Sequence, residues 1–240
     1  MKYIFLALSI VMLHSCGSIR FQGEPFTVGY NGALKQIMHQ GDISAKANLQ
    51  DFNYTKNLYA LGAVENLKGE IQIFDGKPFI SVGLEEMVLI KNTFDLNATL
   101  FVYTTVKKWH SFEVPDNISS YEDFEQYVEE TAKTYGIDTD KPFPFLLEGN
   151  ANSIDWHVIN WKDGDTEHSH HKHITSGPHG TLTETIVEIL GFYSKSHHAI
   201  FTHHTTNMHM HFKTADETLA GHLDGLTLGK GMTLKLPFVK

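Results

Sequence analysis

The run Asn207-Met-His209-Met-His211-Phe212 is followed, after ten intervening residues, by Gly221-His222-Leu223. Neutral imidazole is a common metal ligand, and this spacing suits it. On a strand successive side chains alternate between faces, so His209 and His211 point the same way, about 6 to 7 Å apart along the chain. The midpoint between positions 211 and 222 falls between Asp216 and Glu217, inside the polar stretch Thr214-Ala-Asp-Glu-Thr218. A symmetric hairpin turning there sets His222 directly across from His211, with Cβ atoms about 4.5 to 5.5 Å apart. Three neutral nitrogens with an open fourth position form a catalytic zinc arrangement rather than a closed structural one. Two other readings compete. A His-x-His pair can stand by chance on an ordinary solvated strand, and cupins also use His-x-His with a nearby Glu. Here the next carboxylates, Asp216 and Glu217, fall in the expected turn, a longer gap than cupins use.

Histidine is also the unusual number in the composition: 16 residues, nearly as many as the 19 Lys and Arg together, most of them between His157 and His222. The tract Glu167-His-Ser-His-His-Lys-His173 reads as a solvated loop that gains charge below about pH 6.5, with metal capture as a lesser alternative. His197, His198, His203 and His204 precede the triad strand and either line its pocket or back up the ligands. A net charge of -9 argues against a nucleic-acid partner, because a phosphate backbone needs a dense cationic face. The single cysteine, Cys16, excludes an internal disulfide framework and any zinc site built from cysteines.

Positioning these residues falls mainly to strands. Glu70-Ile-Gln-Ile-Phe74 alternates polar and apolar, Asp75-Gly76 is a hairpin turn signal, and Pro78 to Val82 restarts the strand. Ala98 to Val106, Ser153 to Trp161, Thr181 to Tyr193, Asn207 to Thr214, Leu223 to Leu228 and Met232 to Phe238 read as further strands, and Trp109-His110 as core. One amphipathic helix is expected: Ser119 and Glu122 have capping-box spacing ahead of Phe124, Tyr127, Val128 and Tyr135, with Gly136 past its end. The fold class is therefore α+β, with mixed, largely antiparallel β-sheets in two closely packed halves and few helices. An edge strand left open could pair across a homodimer.

Residues 1–15 read as a signal peptide, because the apolar run from Tyr3 to Leu13 is too short for a stable membrane span. Leu13-His14-Ser15-Cys16-Gly17 resembles the bacterial lipoprotein box, which implies a lipidated Cys16, export, and tethering to a membrane of the cell envelope. Residues 16–48 are then expected to hold the tether and a first, weakly patterned element, ahead of a metal-binding domain over 49–240.

Two longer segments resemble one family. Leu190-Gly-Phe-Tyr-Ser194, Met208-His-Met-His-Phe212, Asp216 and Ala220-Gly-His-Leu-Asp224 are similar to the carboxy-terminal signature of α-acetolactate decarboxylases, with the same histidine spacings. Leu61-Gly-Ala-Val-Glu-Asn-Leu-Lys-Gly-Glu70 with Asp75-Gly76 resembles the amino-terminal one. The resemblance implies a Zn2+ enzyme, or one using another divalent metal, that converts 2-acetolactate or a related 2-hydroxy-3-keto acid to a hydroxyketone and CO2. It implies His209, His211 and His222 as ligands and Glu70 as acid/base. The chain departs from the family at Ala63, where the family has threonine, and at Trp156-His157, where it has an arginine suited to gripping the substrate carboxylate; His157 is a weaker substitute. The family also brings a late carboxylate into the site, and no carboxylate follows Asp224 here. These departures leave a rival reading: a non-catalytic, metal-containing envelope lipoprotein that binds a small carboxylate or sugar.

Overall fold

The computed structural model describes residues 26–239, so the expected signal segment and Cys16 lie outside the described residues. Thirteen strands and three α-helices follow in the order β1 (Gly29–Asn31), α1 (Leu34–Gln40), β2 (Ala47–Asn48), β3 (Leu58–Val64), β4 (Glu70–Phe74), β5 (Lys77–Leu84), β6 (Met87–Lys91), β7 (Asn97–Thr105), β8 (Trp109–Glu113), α2 (Tyr121–Tyr135), β9 (Phe143–His157), α3 (His170–Thr175), β10 (His179–Tyr193), β11 (Met208–Thr214), β12 (Ala220–Leu228) and β13 (Thr233–Pro237). This is the expected α+β class, and every ladder among the described residues is antiparallel.

The first sheet runs β1-β7-β3-β4-β5-β6, with β2 also paired to β7. Its centre shows why period-2 patterning builds two layers. On β3, Leu58 and Ala60 join Ile71, Ile73 and Ile80 in an outer core, while Tyr59 and Leu61 face the second sheet with Phe74, Phe79, Leu100 and Val102. Asp75 and Gly76 both adopt positive φ, 48° and 81°, the geometry that an Asp-Gly turn supplies to a two-residue hairpin. The alternation in β4 thus has a meaning the pattern alone did not carry. Ile71 and Ile73 face the outer core, and Glu70, Gln72 and Phe74 point inward, buried.

In the second sheet β9 pairs with β10 over fifteen-residue strands, and the pairings β10 to β11, β11 to β12 and β12 to β9 complete a closed circuit. Closure removes free strand edges there and fixes register on both sides of each strand. Helix α2 covers the far face through Phe124, Val128 and Ala132, spaced four apart and fully buried. Its N-cap is Ser120, whose hydroxyl accepts Asp123 N–H at 3.1 Å, one residue later than the spacing suggested, because the Ser119 carbonyl is taken by Leu228 N–H. Gly136 ends it in the left-handed conformation.

Residues 29–48, expected to hold mainly a tether, are part of the packed body. Strand β1 pairs with β7, and α1 docks its first N–H groups on the carbonyls of Ile200 and Ala199. A seven-residue helix is too short for hydrophobic periodicity to reveal. The His-rich tract is likewise not simply a loop, since His170 to Thr175 form α3 behind the Ser169 cap.

Candidate metal centre

The hairpin β11–β12 turns where expected and pairs His211 with His222. The next ladder pairs His222 with His157 on β9, so His211, His222 and His157 form a row across three strands, with His209 two residues along β11. The row faces β4 of the first sheet. His209, His211 and His222 each offer a ring nitrogen within 4.8 Å of the others, and the Nε2 atoms of His209 and His211 lie 3.2 Å apart.

Gln72 explains why His211 presents Nε2. Its side-chain carbonyl accepts His211 Nδ1–H at 3.1 Å and Gly221 N–H at 3.3 Å, while its amide donates to the Phe79 carbonyl and Ser81 Oγ. Ser81 in turn donates to the Ala220 carbonyl at 2.6 Å. This buried chain bolts the sheets together and leaves the His211 Nε2 lone pair aimed at the cluster. Gln72 was missed from sequence, although its place two residues after Glu70 on the same face was a usable signal.

Glu70 enters from β4, only 3% exposed. Its Oε1 accepts Ile159 N–H at 3.2 Å and lies 3.7 Å from His157 Nε2, and its Oε2 lies 3.8 Å from His211 Nε2. Burial pushes its pKa up to about 8, against the opposing pull of His222 and the Ile159 N–H. Asp224 was also missed as a site residue. It is the extra residue of a bulge between the pairs of Leu223 and Gly225, a device that re-aims a side chain. Its Oδ2 accepts His157 Nδ1–H at 2.7 Å and its Oδ1 stands 3.2 Å from His222 Nδ1. Burial works against the Asp224 carboxylate, but His157 and His222 outweigh it and hold the pKa well below the usual range. Burial also works against a charged His222, yet Asp224 and Glu70 raise its pKa. The Asp224 bond turns the remaining ring nitrogen of His157, Nε2, toward Glu70.

The donors fit a divalent metal. Burial lowers the pKa values of His209 and His211 far below the ordinary histidine range, keeping them in the neutral form that ligates. Buried His209 Nδ1, His222 Nδ1 and Asp224 Oδ1 make no hydrogen bond, which marks a polar cluster that protein atoms alone do not satisfy. Two nitrogens about 2.0 to 2.1 Å from one tetrahedral zinc are about 3.3 to 3.4 Å apart, close to the His209–His211 separation. His157, His222 and Asp224 form a second group of suitable atoms, but the His157–Asp224 hydrogen bond already satisfies two of them.

Two spaces meet at the cluster. An inner pocket is lined by Leu34, Ile37, Ala63, Leu67, Leu100 and Ile159 around Glu70 and the histidines. An open outer cleft of about 930 Å³ runs past Ser119, Tyr121, Glu125, Asp155 and Thr227 to His209 and His222. Of the remaining histidines, His203 and His204 line the cleft. His197 is held by Ser194 and Ser196, and His198 Nε2–H donates to Asn207 Oδ1 at 2.8 Å. The tract divides. His168 stacks on Trp161 at 4.4 Å and bonds His173 at 3.0 Å. Burial drives the His173 pKa down to about 3 and lowers that of His168, so these two do not charge near pH 6.5 as expected of a solvated loop.

Two β-sheets thus enclose a cluster of three histidines able to hold a metal ion, beside a buried carboxyl group. The family model for alpha-acetolactate decarboxylase matches residues 30–238, and the chain belongs to that family. The solved α-acetolactate decarboxylase of Bacillus subtilis strain 168 superposes with a TM-score of 0.69 at 12% identity, covering 88% of this chain and 86% of that one. The enzyme from Bacillus subtilis subspecies spizizenii gives 0.68 at 14% identity, covering 88% and 85%. A Staphylococcus aureus protein described as similar to alpha-acetolactate decarboxylase gives 0.67 at 14% identity, covering 88% and 86%. No curated protein matches the chain in sequence.

Proposed function

We propose that the chain is a zinc-dependent carboxy-lyase acting on 2-acetolactate, to give acetoin and CO2, or on a related 2-hydroxy-3-keto acid. The observation that carries this reading is Glu70, a buried carboxyl group 3.8 Å from a ring nitrogen of the triad. His209, His211 and His222 would hold the ion, which supplies when bound a Lewis acid for the negative charge that develops as CO2 departs.

The chain's own residues do the rest. Glu70, kept protonated by burial, stands where it can deliver a proton to one face of the developing carbanion, and a single donor on one face sets the configuration of the product. The Ile159 N–H fixes the carboxyl group through Oε1. Asp224 holds His157 by its Nδ1–H, leaving Nε2 as an acceptor facing Glu70; the pair orients the acid and can hold its proton. Leu34, Ile37, Leu67, Leu100 and Ile159 keep water from the proton-transfer side. Export and tethering through Cys16 are proposed from the sequence alone.

The test is incubation of the zinc-loaded protein with racemic acetolactate. Acetoin and CO2 in equal amounts are expected, with one acetoin enantiomer in excess. Absence of both products would overturn the reading.

A further inference from the structure

A substrate that carries a carboxylate needs a donor for it beyond the reacting centre, and neither space supplies an obvious one. Among the described residues no Lys or Arg lines the outer cleft or the inner pocket, whereas Glu122, Glu125, Asp155 and Asp224 do line the cleft. His157 is bonded to Asp224 through Nδ1, with Nε2 turned toward Glu70 at 3.7 Å, and His209, His211 and His222 converge on the proposed ion site. Two imidazoles remain at the neck where the spaces meet. His170, the first residue of α3, and His203, in the loop before β11, each line both spaces. Their rings meet edge-on at 5.1 Å, and the His203 ring stands 6.0 Å from that of His222. Neither side chain makes a hydrogen bond among the described residues.

Both are held from behind. The Ser169 hydroxyl caps α3 by accepting Lys172 N–H, and His173 on the same short helix packs edge-on against Trp161. The His203 loop is pinned to α2, because Glu125 accepts hydrogen bonds from Thr206 Oγ1, Asn207 N–H and Asn207 Nδ2. Preorganised donors of this kind bind an anion without charge of their own.

We infer that His170 and His203 are the donors that receive the substrate carboxylate, and that the surrounding acids restrict the site to ligands with one such group, excluding phosphorylated or dicarboxylic relatives. The inference rests on the proposed function and adds a specificity element to it.

The test compares two small probes on the zinc-loaded full chain by titration calorimetry. One is 2,3-dihydroxy-2-methylbutanoate, which keeps the carboxylate but has no ketone and does not decarboxylate; the other is acetoin, which lacks the carboxylate. Changing both His170 and His203 to Ala is expected to weaken the acid about tenfold or more, the loss of hydrogen bonds to a charged group. Acetoin binding should change less than about twofold, with zinc content unchanged. Changing both to Gln, which keeps a neutral donor, should recover most of the acid's affinity. Equal loss for both probes, no loss for either, or loss of zinc would overturn the inference and leave the proposed reaction standing. Failure of the unaltered protein to bind either probe would overturn both.

Discussion

The molecule carries two concentrations of histidine, and they are built in opposite ways. In the row on β11, β12 and β9, backbone ladders set each imidazole opposite the next, and a bulge, a buried glutamine and a buried glutamate orient the rings. In the tract from His168 to His173 the residues are denser in sequence, yet side-chain stacking on Trp161 is the main thing holding them, and His170 and His171 are exposed. Density of imidazole does not make a metal centre. Register does, because a closed sheet fixes the ligands before any ion arrives and so removes an entropic cost of assembling them.

The sharpest way to break this contrast is to remove the row. Changing His209, His211 and His222 to Ala should abolish zinc binding and lower acetoin formation by about 10³-fold or more, whereas the same treatment of His168 and His173 should leave zinc stoichiometry intact. Next in size is Glu70→Gln, expected to lower turnover by about 10²- to 10⁴-fold while zinc content stays at one per chain. A Gln variant as active as the parent would remove Glu70 from the proton transfer. Asp224→Asn should weaken metal affinity by about 10- to 100-fold, as His157 and His222 lose the carboxylate that orients them; equilibrium zinc titration against a chelator reads this directly.

Acidity separates the regions further. The Glu70 pKa in the folded, metal-free protein lies at about 8 against an ordinary 4.5, so folding favours its protonated form. The stability it contributes is complete below pH 4.5 and is lost as pH rises through 8. His209 and His211 act in the other direction: their depressed pKa values contribute stability above pH 6.5 that is lost as pH falls. Metal-free protein should therefore lose stability between pH 6.5 and 9 in denaturant titrations, and Glu70→Gln should flatten that limb. An unchanged slope in the variant would assign the dependence elsewhere. The smallest expected effect is on the tract: His168→Ala removes a ring stack worth about 0.5 to 1.5 kcal/mol, with no effect on metal.

Much of this was readable from sequence where the determinants are local. The β4–β5 hairpin follows from Asp75-Gly76, the His211–His222 pairing from the centred turn, and α2 from its caps and its four-residue apolar spacing. What escaped depends on contacts distant along the chain. His157 meets His222 only because β9 closes onto β12, and Gln72 reaches His211 across two sheets. The bulge at Asp224 has no turn residue to announce it, since the Gly225 that follows can serve many local geometries. The alternation of β4 was visible, but whether its polar face meets water or a site depends on what packs against it, and a strand pattern does not carry that information.

The central claim is that a divalent ion sits on the row and nowhere else. Zinc content together with X-ray absorption spectra, collected on the parent, on the His209, His211 and His222 triple variant and on the His168 and His173 double variant, tests it most directly. The account predicts one zinc per chain with imidazole nitrogens at about 2.0 to 2.1 Å in the parent and the double variant, and none in the triple variant. Zinc retained by the triple variant and lost from the double variant would contradict it.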